Sequence, residues 1–327
     1  MPKVSVIIAV YGAEKYIEKC ARSLFEQTLD DIEYIFVDDC TPDKSMDILI
    51  SVLSDYPNRK NQVKIIHNLT NLGLGSTHTI GMKAATGDYL IYCDPDDWVE
   101  HNMYELLYNK AIEDNADIVV CDFFHNSNNQ TIIEHYEPIT HPITCINMST
   151  KTKYWWTLWN RLMSRKFIDI YHLFSMQGLN YLEDLHLSIR CYSLANHISY
   201  IPVPLYHYRR NNECSILNST TSRKKYTQRR ICFDNLFSFI HQHNLDSQLA
   251  SFINFQKEKT IQLLLDSKPI NYKELKNCYP EMRRVILNNK SLKLFYRYSI
   301  WFAQKGVIFP LRIYISIGNL VRKLATV

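Results

Sequence analysis

Short apolar runs alternate with segments of helical periodicity through the first third of the chain. The runs are rich in β-branched residues, which is typical of strands that are buried on both faces of a sheet. Four runs are predicted as strands: residues 4–10 (VSVIIAV), 34–39 (YIFVDD), 63–68 (VKIIHN) and 88–94 (DYLIYCD). Helices are predicted between them, over residues 14–28, from an N-cap at Thr41 with Pro42 as the first helical residue, and over residues 76–86. This alternation predicts βαβ units and therefore an α/β fold, with a mostly parallel sheet flanked by helices.

The rest of the chain is less regular and changes in character near residue 220. Helices are predicted around Trp155–Phe167 and Glu183–Leu194, and a strand is predicted over IPVPLYHYRR, residues 201–210. Residues 1–219 hold 18 Lys and Arg against 27 Asp and Glu, a net charge of −9, whereas residues 220–327 hold 19 against 6, a net charge of +13. We therefore expect two regions with different partners: an α/β domain over residues 1–217 and a helical, basic C-terminal region over residues 218–327.

The nine cysteines are scattered along the chain, and no two of them form a C-x-x-C pair. An odd, dispersed set of thiols is typical of a reducing compartment and argues against a disulfide framework or a zinc site. The first residues, MPKVSVIIAVYG, lack the apolar core and cleavage site of a signal peptide. No uncharged stretch is long and apolar enough to cross a membrane. We therefore expect a cytoplasmic protein.

Carboxylates follow two of the predicted strands where these strands end. In YLIYCDPDDW, Asp94 and Asp96 stand two residues apart, so an extended chain would point both at one place, and Pro95 would stiffen the turn. Oxygen ligands without His or Cys neighbours suit Mg²⁺ or Mn²⁺. The alternative is a solvated loop that caps the next helix. Because the carboxyl ends of parallel strands meet at one edge, Asp38 and Asp39 should lie close to this loop.

Several blocks of the sequence, in order, are similar to those of family 2 glycosyltransferases. The blocks are VSVIIAVYGAEKYIEKCARSLFEQTL, IFVDDCTPDKS, NLGLG, TGDYLIYCDPDDW, YLEDL and LYHYRRNNECSI. They cover about residues 3–217, and their order makes the resemblance far more specific than any one block. The resemblance implies the Rossmann-like GT-A fold and an enzyme of bacterial cell-surface polysaccharide assembly. Such an enzyme moves a hexosyl or N-acetylhexosaminyl group from a nucleotide-sugar donor, with UDP as the first candidate, to a saccharide or lipid-linked saccharide acceptor.

The resemblance also implies roles for individual residues. Asp184 would be the general base with Glu183 beside it in the acceptor site, and direct displacement would invert the anomeric configuration. Asp96 would be the direct ligand of a Mn²⁺ or Mg²⁺ ion, and Asp94 would contact both the ribose and the metal. The other predicted substrate-binding residues are Val10, Tyr11, Asp38, Asp39, Asn71, Gly75, His207 and Arg209, with Ser215 in the same late loop as the last two. From the residues alone, helix capping by Asp184 is an equal alternative.

The chain departs from the resemblance at one turn. Family members commonly have Ala-Arg-Asn where this chain has Thr77-His78-Thr79, so an arginine near the donor phosphate is missing, and Lys83 or Arg209 would have to replace it. Two alternative functions stay open. A sugar nucleotidyltransferase would need a basic phosphate loop after the first strand, where this chain has YGAEKY. A non-catalytic nucleotide-sugar binding protein would keep the acidic residues but form no glycosidic product.

Residues 292–324 form a basic, aromatic segment without an acidic residue. Aromatic and aliphatic side chains alternate there with Arg297, Lys305, Arg312, Arg322 and Lys323. We expect this segment to lie on the anionic inner face of the plasma membrane, where a lipid-linked acceptor would be presented. The alternative is a pair of helices packed on the catalytic domain. Nucleic acid is not expected as a partner, because no nucleic-acid-binding module precedes the segment.

Overall fold

The computed structural model of the chain describes residues 1–127, 130–136, 141–148, 150, 155–210, 221–267, 270–290 and 292–313. The chain divides into two compact units, Met1–Ser219 and Thr220–Val327. Among the described residues, all strands belong to the first unit, and the second unit is helical. The α/β fold and the helical C-terminal part that the sequence predicts are therefore confirmed.

A mixed β-sheet forms the centre of the first unit. Its strands are β1 Val4–Val10, β2 Ile32–Asp38, β3 Val63–His67, β4 Tyr89–Tyr92, β5 Trp98–Val99, β6 Ile118–Asn126, β7 Thr131–Glu134, β8 Arg161–Ser164 and β9 Ile198–Arg209. Their order is β3-β2-β1-β4-β8-β6-β9-β5, with β7 paired to β6. Strands β3, β2, β1 and β4 pair in parallel, and so do β6 and β9. Strand β8 runs antiparallel between β4 and β6, so the parallel pattern is interrupted in the second half of the sheet.

Helices follow the strands as the sequence periodicity predicts. They are α1 Ile17–Phe25, α2 Ser45–Ser54, α3 Leu74–Ala84, α4 Met103–Asp114, α5 Pro142–Met148, α6 Arg165–Tyr171 and α7 Glu183–Leu194, with a 3₁₀ helix at Pro57–Gln62. Helix α1 buries five apolar side chains at the predicted spacing. Burial of that stripe against the sheet stabilises a helix that is too short to persist alone in water.

The predicted start of the second helix is wrong. Helix α2 begins at Ser45 and not at Pro42. The Thr41 hydroxyl accepts a hydrogen bond from Gly12 N (2.9 Å) and donates one to Asp43 Oδ1 (2.8 Å). Thr41 therefore joins the loop after β1 to the loop after β2, and this long-range contact prevents it from capping the helix.

The helix predicted around Trp155–Phe167 is also wrong. Strand β8 and helix α6 occupy the second half of that segment, and Ser164 caps α6 by accepting a hydrogen bond from Phe167 N. Trp155 and Trp159 have helical spacing in the sequence, but both rings are buried in an aromatic core. Aromatic residues at a spacing of four therefore indicated burial here, without indicating a helix.

The carboxyl ends of strands β1, β2 and β4 lie at one edge of the sheet. Val10 pairs with Asp38 across β1 and β2, and Ile7 pairs with Tyr92 across β1 and β4. Asp39 N donates to Val10 O (3.0 Å), which extends the ladder beyond β2. The three loops that follow these strands therefore leave the sheet together, at the edge where open parallel sheets bind ligands.

The second unit has an apolar core of its own. Its helices are α8 Ser222–Gln242, α9 Ala250–Asp266, α10 Tyr272–Asn277, α11 Met282–Asn288 and α12 Leu294–Gln304. Helix α12 contributes Tyr296, Ile300 and Ala303 to this core, and Leu311 beyond it is buried there too. Across the described ranges, no helix has both the length and the apolar character that crossing a membrane requires.

Part of the basic C-terminal segment stays at the surface of this unit. Its exposed apolar side chains are Leu294, Phe295, Tyr298, Val307, Phe309 and Ile313. Lys305 lies over the Trp301 ring, with Nζ 4.0 Å from the ring centre. Arg322 and Lys323 lie outside the described residues. Helix α12 thus has one face in the core and a second, apolar face toward solvent, with the exposed lysines Lys293 and Lys305 at its two ends.

Candidate active site

Strand β9 anchors the acidic loop Asp94–Asp97 through hydrogen bonds of Tyr206 and Arg209. Tyr206 Oη donates to Asp97 Oδ2 (2.8 Å), and Arg209 N donates to Asp97 Oδ1 (2.7 Å). Arg209 Nε also donates to Asp96 O (2.8 Å), and Tyr206 Oη accepts from Asp94 N (3.1 Å). Asp97 is therefore a buried anchor of the loop, a role that the sequence did not reveal. Asp94 and Asp96 are the other two carboxylates of this loop, and both are partly exposed.

The carboxylates of this loop fit the predicted cation. One oxygen each from Asp94, Asp96 and Asp97 lies within 4.8 Å of the other two. Burial, followed by the charges of Asp96 and Asp184, raises the pKa of Asp94 well above its ordinary value. A divalent cation would relieve this repulsion, and a ligand set made only of oxygen atoms suits Mg²⁺ or Mn²⁺. Asp94 and Asp96 are the residues that the sequence predicts would hold the ion, and Asp97 is the buried neighbour that anchors their loop.

Asp39 organises the turn that follows strand β3. Its Oδ1 accepts hydrogen bonds from Asn68 Nδ2 (2.9 Å) and Leu72 N (2.8 Å), and its Oδ2 accepts one from Gly73 N (2.9 Å). The side chain is only 4% exposed. Asp39 therefore has a structural role in this turn, and its predicted contact with substrate stays a prediction.

Three more predicted residues lie at the ends of β1 and β2. Asp38 accepts a hydrogen bond from Thr41 N (2.8 Å), and its other oxygen lies 2.9 Å from His67 Nδ1. Tyr11 is 52% exposed and is available to stack on a ligand. Val10 is completely buried in the sheet. Only its backbone reaches the edge, so the substrate binding predicted for Val10, which stays a prediction, would involve the backbone.

The turn before helix α3 needs its glycines for backbone reasons. Gly73 has φ = +82°, and a Cβ on Gly75 would lie 2.3 Å from Leu179 O and 2.5 Å from Met176 O. Gly75 therefore also has a packing role, because the helix approaches another backbone segment there, and its contact with substrate stays a prediction. Asn71 is exposed on the same turn, and its contact with substrate stays a prediction.

Glu183 and Asp184 begin helix α7, where the sequence places them. Leu182 before them has φ = +71° and supplies no side-chain cap. Glu183 is buried and Asp184 is half-buried. Burial, followed by the charge of Glu183, raises the pKa of Asp184 well above its ordinary value, and the charge of Arg161 opposes this shift. Asp184 in turn raises the pKa of Asp94, so the candidate base and the acidic loop belong to one electrostatic site.

Two functional candidates near Asp184 were missed by the sequence analysis. His78 is 3% exposed, and a ring nitrogen of His78 lies within 4.8 Å of carboxylate oxygens of Glu183 and Asp184. Arg161 is 1% exposed and donates to Asn160 Oδ1 (2.7 Å). The sequence marked His78 only as a departure from an arginine and placed Arg161 in a helix. Neither position has a signal that points to Asp184, since the proximity depends on the packing of distant segments.

The predicted substrate contact of His207 is corrected to a packing role. Its ring stacks between Trp98 (4.8 Å between ring centres) and Phe124 (4.3 Å). Its Nε2 lies 2.7 Å from Glu100 Oε1. Both ring faces and this nitrogen are therefore engaged. Ser215, predicted to lie in the same late loop, is outside the described residues.

Arg209 lies beside the acidic loop and shares the Trp98 ring with a second cation. The guanidinium carbon of Arg209 lies 5.0 Å from the centre of the indole, and Lys19 Nζ lies 3.1 Å from it. Burial, followed by the charge of Arg209, lowers the pKa of Lys19. Lys83, considered as a substitute for the missing arginine, is exposed and lies over Phe174 instead (5.9 Å). Arg209 is therefore the better placed cation of the two.

The chain is similar in sequence to bacterial proteins named as glycosyltransferases. EpsH of Bacillus subtilis (strain 168) is 35% identical over 218 residues, which is 64% of this chain and 61% of EpsH. The uncharacterized glycosyltransferase EpsJ of the same organism is 32% identical over 64% of this chain and 62% of EpsJ. The chain therefore spans about three fifths of the length of these two relatives.

Solved structures of low sequence identity share the fold. S. aureus TarS 1–349 in complex with UDP-GlcNAc has a TM-score of 0.72 at 20% identity, over 95% of this chain and 89% of that one. Mannosyltransferase PcManGT from Pyrobaculum calidifontis, in complex with GDP-Man and Mn²⁺, has a TM-score of 0.53 at 12% identity, over 94% and 87%. The sequence profile of glycosyl transferase family 2 matches residues 5–177, more than half of the chain. With the parallel strands, the acidic loop and the helix α7 carboxylates in place, the chain belongs to glycosyl transferase family 2.

Proposed function

We propose that the chain is a metal-dependent, inverting glycosyltransferase of polysaccharide biosynthesis. It transfers a sugar from a nucleotide donor to a saccharide or lipid-linked saccharide acceptor. The observation that carries the proposal is that two kinds of carboxylate share one electrostatic site. Asp94 and Asp96 belong to one acidic group at the end of strand β4, and Asp184 belongs to a second group with Glu183 and His78, close enough for its charge to raise the pKa of Asp94. A protein that only binds nucleotide sugars would need the first group but not the second.

UDP is the proposed nucleotide of the donor. Membership of glycosyl transferase family 2 supports this choice, as does the shared fold of TarS, which was solved with UDP and with UDP-GlcNAc. Exposed Tyr11 provides an aromatic ring for a base at the end of strand β1. Asp39, at the end of strand β2, holds the turn before helix α3 through Leu72 N and Gly73 N.

The proposed reaction is a direct displacement at the anomeric carbon. An acceptor hydroxyl attacks from the face opposite the diphosphate, and Asp184 accepts its proton as the new C–O bond forms. The bond to the diphosphate breaks with its electron pair on the leaving oxygen, so the anomeric configuration inverts. When bound by Asp94 and Asp96, a divalent cation supplies Lewis-acid stabilisation of that negative charge. Arg209, beside the loop, contributes a second positive charge.

Calorimetric titration with UDP, GDP, CDP and dTDP tests the donor site. We expect UDP to bind in the presence of Mn²⁺ and to bind at least about tenfold more weakly with EDTA, a difference of about 1.4 kcal/mol. Equal affinity for UDP with Mn²⁺ and with EDTA would contradict the metal dependence. A glycosidic product, identified by mass spectrometry after incubation with UDP-sugars and saccharide acceptors, separates an enzyme from a binding protein.

The second unit is proposed to rest on an anionic membrane surface. Phe295 and Phe309 are 46% and 69% exposed, and Leu294 beside them is 62% exposed. Apolar side chains that enter the headgroup region, next to cations that attract anionic lipid, are typical of peripheral binding. A lipid-linked acceptor would bring the enzyme to such a surface.

Vesicle sedimentation of the full chain tests this surface. We expect binding to phosphatidylcholine vesicles only when phosphatidylserine is included, and loss of binding at high salt. Phe295→Ser with Phe309→Ser should weaken binding at least about tenfold, because each buried Phe contributes about 1.5–3 kcal/mol. Ile50→Ser, at a 54% exposed position of α2, is the control that should change nothing. Binding that does not depend on lipid charge, or that is unchanged in the variant with both Phe substitutions, would contradict the proposal.

A further inference from the structure

The proposed base belongs to a small cluster, two members of which the proposed mechanism does not use. A ring nitrogen of His78 and carboxylate oxygens of Glu183 and Asp184 lie within 4.8 Å of one another. His78 and Glu183 are 3% and 6% exposed, whereas Asp184 is half-buried. Asp184 is therefore the member that an acceptor can reach, and the other two residues support it from the interior.

Three features of this cluster cost stability. Nδ1 of His78 is buried and makes no hydrogen bond to any described residue, which typically costs about 1–3 kcal/mol. Glu183 buries a carboxyl group. Leu182, immediately before it, has φ = +71°, which is rare for a side chain of this size. Unfavourable features that gather in one place are typical of a functional site held by the surrounding structure.

His78 faces the carboxyl pair as a neutral group. Burial lowers the pKa of His78 to about 3, so its ring is uncharged at neutral pH. Tyr92, whose ring centre lies 4.4 Å away, is also neutral because burial raises its pKa. An unprotonated nitrogen costs less without a partner than an N–H group does. In the tautomer that carries its proton on Nε2, the buried Nδ1 is a bare acceptor and Nε2–H is a donor.

We propose that His78 is a positioning residue for the base: its neutral imidazole donates a hydrogen bond to the Glu183–Asp184 pair and fixes Asp184 toward the acceptor hydroxyl. This inference rests on the proposed function of Asp184. A gap of up to 4.8 Å is bridged by one water molecule or closed by a side-chain rotation. A cation at position 78 would instead pair with the carboxylate and lower its affinity for a proton. His78 thus orients the base without weakening it.

Substitutions of His78 in the full chain test the proposal, because the new side chains differ in whether and where they carry a hydrogen-bond donor. His78→Gln puts an amide N–H near the position of Nε2 and should retain kcat within about threefold of wild type. His78→Asn reaches only to the position of Nδ1, and His78→Leu has no donor. Both should lower kcat about 10–100-fold with little change in the acceptor KM, because a misplaced catalytic group loses rate of this order.

A second readout does not depend on turnover. Nitrogen NMR of histidine-labelled wild-type chain should show His78 as the neutral Nε2–H tautomer at pH 7. A protonated ring or the Nδ1–H tautomer would overturn the proposal, as would a Leu variant with the kcat of wild type. If the Leu variant loses nucleotide affinity and melting temperature in parallel with kcat, His78 has only a packing role. Failure of the proposed function is a different result, a wild-type chain that forms no glycosidic product.

Discussion

Replacing Asp184 with asparagine is expected to lower kcat about 10²–10⁴-fold, because asparagine keeps the size of the side chain but cannot accept the acceptor's proton. Affinity for UDP and Mn²⁺ should stay near that of wild type, since the acidic loop is untouched. Burial and Glu183 raise the pKa of Asp184 above the ordinary 3.8. Wild-type activity should therefore fall on the acid side at a pH above that value, as the base becomes protonated. Product formation across a pH series measures both effects.

Asp169→Asn is the matched control for this change, because it removes an exposed carboxylate from helix α6. It should leave kcat unaltered. Near-normal turnover by Asp184→Asn would show that another group accepts the proton. A parallel loss of nucleotide affinity in that variant would instead place Asp184 in donor binding.

Asp96→Ala is expected to abolish the metal-dependent part of nucleotide binding, weakening UDP at least about 100-fold in the presence of Mn²⁺. The reason is that Asp96 and Asp94 are the proposed ligands of the cation, whereas Asp97 anchors the loop through hydrogen bonds with Tyr206 and Arg209. Calorimetry with and without EDTA measures the loss. In the variant, the two conditions should give the same weak affinity.

Asp47→Ala, at an exposed position of helix α2, is the control for Asp96 and should bind UDP as wild type does. Asp97→Ala makes an informative contrast. It removes the acceptor of Tyr206 Oη and Arg209 N, so it should lower stability as well as affinity. Retention of the Mn²⁺ effect in Asp96→Ala would show that the cation is held elsewhere.

The parts of the site that the sequence predicted are those set by local periodicity. Strand β1 is a continuous apolar run because it is buried on both faces, so its bounds could be predicted without error. The expectation that Asp94 and Asp96 point to the same side follows from the two-residue repeat of an extended chain at the end of such a strand. Glu183 and Asp184 begin a helix whose bounds the periodicity also predicted.

The parts that the sequence could not predict depend on contacts between distant segments. The ring of His207 resembles a ligand-binding group until Trp98 and Phe124 are seen to cover its two faces. Nothing in the sequence around Gly75 shows that a Cβ there would meet the carbonyl of Leu179. His78 faces Asp184 only once helices α3 and α7 are packed. No periodicity within one segment encodes such neighbours.

The two cations over Trp98 give the proposed donor site an optical property. Lys19 and Arg209 set a positive field at this indole, one residue beyond the acidic loop. Indole emission responds to charges near the ring. A diphosphate that draws Arg209 away therefore changes the emission wavelength and the quantum yield of Trp98 fluorescence. Comparison with Trp98→Phe assigns the signal among the five tryptophans of the chain. Donor arrival and product departure can thus be timed by stopped flow with no label attached.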